Sequence, residues 1–104
     1  MKPIARFDFF RMDTEGKMLP AYVGVGTPSP GERCWNCTIV CNFSGTEETQ
    51  TISGNGSLQV LALALQTLRK RFLAELNHGP RLFYDEEDVD PMTKEILSHC
   101  FPSL

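Results

Sequence analysis

Ser57–Leu76, SLQVLALALQTLRKRFLAEL, constrains the chain more than any other stretch, because no other segment has apolar spacing so long and so regular. Leu58, Leu61, Leu65, Leu68, Phe72 and Leu76 recur at steps of three and four, which lines them up on one side of an α-helix. Ala62 and Ala64 beside that stripe favour the helical backbone and are small enough to let a sheet come close. An amphipathic helix of this length needs a partner surface. The remaining sequence offers strands rather than a second long helix.

Residues 4–12 alternate Ala5, Phe7 and Phe9 against Arg6 and Asp8, the period of a half-buried strand. The polar residues 13–17, with Gly16, have the composition of a hairpin loop, and 19–26 returns as a second strand with Pro20 at its start or on an edge. Thr27-Pro28-Ser29-Pro30-Gly31 is a rigid connection. It leads into the most strand-like segment, 33–43, where Trp35, Cys37, Ile39, Cys41 and Phe43 share the face expected to meet the helix. After a turn at 44–48, the Thr-rich residues 49–53 read as a partly exposed fourth strand. Gly54-Asn55-Gly56 breaks it, and Ser57 is placed to cap the helix.

Arg69, Lys70 and Arg71 are expected near the helix C-terminus, where the dipole favours cations, with Asn77-His78-Gly79-Pro80 as the stop. A short fifth strand is expected at 81–84, and Asp90-Pro91 reads as the start of a second helix running to about Cys100. That helix would turn Met92, Ile96, Cys100 and Phe101 inward. The expected fold is therefore α+β, in the order ββββαβα. It is a four- to five-stranded antiparallel meander with the long helix on one face and a short C-terminal helix beside it. At 104 residues, one domain spanning 1–104 is expected.

A formal charge of −3 disfavours a general nucleic-acid binder, which needs surplus Lys and Arg to displace phosphate counterions. No apolar run approaches the roughly 18 residues needed to span a bilayer, and charges interrupt the N-terminal segment where a signal peptide would be apolar. A cytoplasmic protein with free thiols is expected. Cys34 and Cys37 have the spacing of zinc and redox pairs. No second pair accompanies them, however, and in a regular strand they point to opposite faces. The alternative reading is a small metal-binding or thiol-dependent enzyme that combines Cys34 and Cys37 with His78 or His99. The leading expectation is a non-enzyme without cofactor.

Asp85, Glu86, Glu87, Asp88 and Asp90 form an acidic run with neither the glycine nor the ligand alternation of a calcium loop. As a functional surface it would dock on a basic protein, where charge complementarity speeds association. Pairing with Arg69, Lys70 and Arg71 would instead neutralise it internally. Self-association through a sheet edge or the exposed Thr-rich strand is a further possibility.

The strand Cys34-Trp35-Asn36-Cys37-Thr38-Ile39, followed by Gly54-Asn55-Gly56-Ser57-Leu58-Gln59-Val60-Leu61-Ala62-Leu63-Ala64-Leu65, resembles a group of small bacterial domains of unknown function. In that group a Trp-containing strand precedes a Gly-x-x-Ser-Leu-Gln-Ala-Leu-x-Leu-Ala helix, and the chain closes with a Leu-Tyr/Phe-Tyr-like strand and acidic residues. The likeness covers most of residues 4–88, with Val60 where the pattern has Ala. It implies a bacterial source and an α+β fold, and no active site. In size and charge the chain is also similar to immunity proteins, which neutralise secreted bacterial toxins.

Overall fold

The computed structural model describes residues 3–79 and 81–101, the side chain of Cys100 excepted. The elements follow in the order β1 (Ala5–Met12), β2 (Met18–Val25), β3 (Ser29–Pro30), β4 (Trp35–Asn42), β5 (Glu48–Gly54), α1 (Ser57–Leu76), β6 (Leu82–Phe83) and α2 (Ile96–Cys100). Six antiparallel strands form one sheet in the order β3-β4-β2-β1-β6, with β5 along the other edge of β4. The expected α+β architecture is present, with α1 packed across one face and α2 at its far end.

Cross-strand register explains which side chains meet α1. Phe9 stands opposite Ala21, Val23 opposite Cys41, Val25 opposite Ile39 and Cys37 opposite Ile52, so period-two alternation collects these residues on one face. Phe43 completes the row beyond the end of β4, and Trp35 packs against the cluster from its rim. Phe72 of α1 lies at the centre, with ring centroids 5.1 Å from Phe9, 5.7 Å from Phe43, 6.0 Å from Phe7 and 5.9 Å from Phe101. Such tilted and edge-on pairs add directional attraction to area burial.

The buried row of α1 differs from the leucine stripe. Val60, Ala64, Leu68 and Phe72 are buried. Leu61, Leu65 and Leu76 are only half-buried, and Leu58 is 80% exposed. A row at four-residue spacing forms a ridge inclined to the helix axis, which suits packing at an angle over a sheet. The entry turn selects that row. A Cβ on Gly54 would stand 3.3 Å from the Cα of Val60, so glycine lets β5 and the first helical turn touch and turns Val60 inward.

Helix ends and connections also correct the sequence reading. Gly56, not Ser57, is the N-cap, with extended backbone and no side-chain cap bond. The side chain of Gln59 instead accepts the Asn55 N–H. No basic residue lies in the last turn of α1. Arg69, Lys70 and Arg71 fall short of it, and Arg71 pairs with Glu48 on β5. The Pro-rich connection contributes a strand of its own: Ser29 and Pro30 pair with Asn36 and Trp35. The second helix starts at Ile96 rather than Pro91, and Asp90 does not cap it. Its expected first turn does not form: the Met92 N–H donates instead to the Leu82 carbonyl at 2.7 Å. Met92, Ile96 and Phe101 are nevertheless buried, as their apolar character requires. Cys100, expected to face inward, has a side chain outside the described residues.

Candidate functional site

The acidic run occupies the connection from β6 to α2, where both neighbouring elements are anchored and the loop itself is exposed. Arg11 and Phe10 of β1 pair with Leu82 and Phe83, fixing the start of the loop, while Ile96, Leu97 and Phe101 fasten its end to the core. Within it, the Asp88 carboxylate accepts the Asp85 N–H at 3.0 Å and the Asp85 carbonyl accepts the Asp88 N–H at 3.1 Å. This turn satisfies the local backbone and leaves Asp85, Glu86, Glu87 and Asp90 exposed, with Asp88 half-buried. Five carboxylates therefore share one short surface segment.

The run borders a cleft of about 490 Å³ whose walls include Tyr84, Glu87, Asp88, Val89 and Asp90 from the loop and His99 from α2. Val89 is 88% exposed and Tyr84 is 51% exposed, the Tyr84 ring standing edge-on to Phe7 at 6.3 Å. The two apolar side chains were not singled out by periodicity, since they fall in a loop. Their signal was simply a large apolar residue at either end of a run of acids. Among the described residues no ion pair joins Arg69, Lys70 or Arg71 to the run, so the neutralising contact is not formed there.

The thiols lie elsewhere and apart. The Cys34 thiol donates to Asn36 Oδ1 at 3.6 Å, beside the sheet face away from α1, and the Cys37 thiol donates to the Gly26 carbonyl at 3.3 Å in the core. Burial pushes the Cys37 thiol above its ordinary pKa. It does the same for Cys41, where the nearby Arg71 guanidinium partly offsets the rise. His78 follows α1 and His99 sits on α2, both exposed. Among the described residues no three of His, Cys, Asp and Glu converge on a position that could hold a metal ion.

The sheet face away from α1 carries a small polar network. Arg6 forms an ion pair with Asp8 at 2.7 Å, and its guanidinium carbon lies 3.9 Å above the Tyr22 ring. The Tyr22 hydroxyl donates to Glu47, and that bond raises the Tyr22 pKa. All these groups touch solvent, where such pairs contribute little to stability. On the helix side, Arg11 Nε is buried without a hydrogen-bond partner among the described residues.

Compared with protein-family models, curated proteins and solved structures, the chain matches none. The resemblance of its Trp-containing strand and Ser-Leu-Gln helix to a bacterial domain group thus rests on those motifs alone. No helix among the described residues is long and apolar enough to cross a membrane.

Proposed function

We propose that the chain is a non-enzymatic binding protein that docks its acidic loop on a basic protein surface, in the manner of an immunity protein blocking a toxin. One observation carries the reading. Asp85, Glu86, Glu87, Asp88 and Asp90 crowd an exposed loop together with Tyr84 and Val89, both largely exposed. Interfaces draw most of their energy from a few large side chains that become fully desolvated, while surrounding charges set rate and partner choice. Tyr84 and Val89 suit the first role and the carboxylates the second. The buried thiols favour a packing role for Cys37 and Cys41 over a catalytic one.

The test uses the basic protein that co-purifies from the source cell, or the product of an adjacent toxin-like reading frame. Calorimetric titration against wild type and against the combined variant Asp85→Ser, Glu86→Ser, Glu87→Ser, Asp88→Ser is compared at low and high salt. Wild-type affinity should fall as salt rises, and the variant should bind at least about tenfold more weakly at low salt. Equal affinity and equal salt response in the two proteins would overturn the reading.

A further inference from the structure

The free edge of the sheet carries a second inference, independent of the acidic loop. β5 pairs with β4 without interruption from Glu48 to Gly54. Among the described residues no strand lies along its other edge, and no backbone bond reaches Thr49, Thr51 or Ser53 from outside the β4 ladder. All three are exposed. Edge strands are normally guarded by Lys, Pro or a bulge. Residues ETQTISG contain none of these, and the continuous register leaves no bulge.

The hydrogen bonds show which amides look outward. The Gly26 N–H donates to the Thr38 carbonyl at 2.8 Å, so Thr38 directs its backbone groups toward β2, away from β5. In an antiparallel ladder that makes Thr38 and Thr51 a pair without mutual backbone bonds. Their closely placed hydroxyls, 3.4 Å apart, agree with it. Thr51 must then direct its N–H and C=O to the open edge, and with the period of two so must Thr49 and Ser53. Gln50 and Ile52 spend theirs on Ile39 and Cys37.

We propose that β5 pairs with β5 of a second copy of this chain, antiparallel and centred on Thr51, to form one continuous sheet across a two-fold axis. The strand is self-complementary in this register. Thr51 meets its own symmetry mate, Thr49 meets Ser53, Gln50 meets Ile52 and Glu48 meets Gly54, so the whole strand is used. The three outward residues exchange both backbone bonds with their opposites, about six bonds in all. Hydroxyl side chains pair on the face away from α1, continuing the Thr38–Thr51 and Asn36–Ser53 contacts. The partner's Gln50 covers the half-buried Ile52, and the two Glu48 carboxylates lie at opposite ends of the paired strands, each opposite the partner's Gly54 and each beside Arg71 of its own α1.

Sedimentation equilibrium and amide hydrogen exchange on the full chain across a dilution series test this. The expected species at high concentration has twice the 11.7 kDa chain mass. The Thr49, Thr51 and Ser53 amides should exchange at least about tenfold more slowly there than in the dilute sample, whereas Gln50 and Ile52 stay protected in both. Thr51→Pro removes an outward N–H at an edge position, where proline is tolerated, and should give a monomer with an unchanged circular dichroism spectrum. A chain monomeric at every concentration would overturn the proposal. So would a dimer whose Thr49, Thr51 and Ser53 amides exchange freely, or protection that appears only when a strand of another protein is added. If Thr51→Pro fails to fold, the wild-type exchange pattern still decides.

Discussion

At the scale of single residues, Cys37 shows how one member of the suggestive Cys34–Cys37 spacing becomes packing material, as Cys41 further along β4 also does. Both lie among apolar side chains, where charge is poorly solvated, so burial raises both thiols. A raised pKa in the folded state means that folding holds the proton more tightly than the unfolded chain does. The associated stability is complete below the ordinary thiol value, about 8.5, and is lost as pH rises through the higher folded value. Urea midpoints should be level near neutrality and decline in alkali, and the decline should be shallower in a Cys37→Ala, Cys41→Ala variant. An equal decline in both proteins would remove the thiols as its cause. Gly54 makes a second point at this scale. A Cβ at Gly54 would stand 3.3 Å from Val60 Cα, so in Gly54→Ala the α1 backbone must give by a few tenths of an ångström, and the substitution should cost about 1 kcal/mol or more in denaturant titration.

At the scale of elements, α1 was recognisable as a helix with its ends nearly right, yet the face it buries is rotated from the leucine stripe. Leu58 and Leu68 are chemically identical and separate the two pictures. Leu68 is buried against the sheet, so Leu68→Ala should cost about 2–5 kcal/mol. Leu58→Ala should stay within about 0.5 kcal/mol, because the side chain is already in water. Comparable losses at both positions would mean that α1 packs through the sequence-derived stripe after all. The late start of α2 has a similar origin. Asp90-Pro91 is a good helix opening, but the Met92–Leu82 backbone bond competes for the same residues and prevails.

At the scale of the whole molecule, the sheet and helix enclose one aromatic-centred core, and the charge is displaced to its periphery. The quadruple Ser variant of the acidic loop takes the formal net charge from −3 to +1 by removing four carboxylates. Because Asp85, Glu86 and Glu87 are exposed with no described cation against them, and only the half-buried Asp88 holds a local bond, to the Asp85 N–H, the change should reverse ion-exchange behaviour while lowering stability to thermal unfolding by no more than about 1.5 kcal/mol. A large loss of stability would show that the loop serves the fold. Similar stability with lost binding would separate recognition from folding, as the proposed docking role requires.

Period-two alternation in residues 33–43 and the apolar spacing of 57–76 were enough to place the strand and helix that form the core, since backbone geometry alone turns those patterns into faces. The acidic segment was legible as surface for the same kind of reason: adjacent like charges are held out of an apolar interior by their hydration. Three-dimensional contact settled the rest. Which ridge of α1 lies inward depends on the approach of Gly54 to Val60, and whether Asp90 starts a helix depends on a carbonyl eight residues away. The direction of each β5 amide follows from its pairing with β4. Such relations between distant parts of the chain leave no period in the sequence, because they are set by which surfaces meet once the elements have formed.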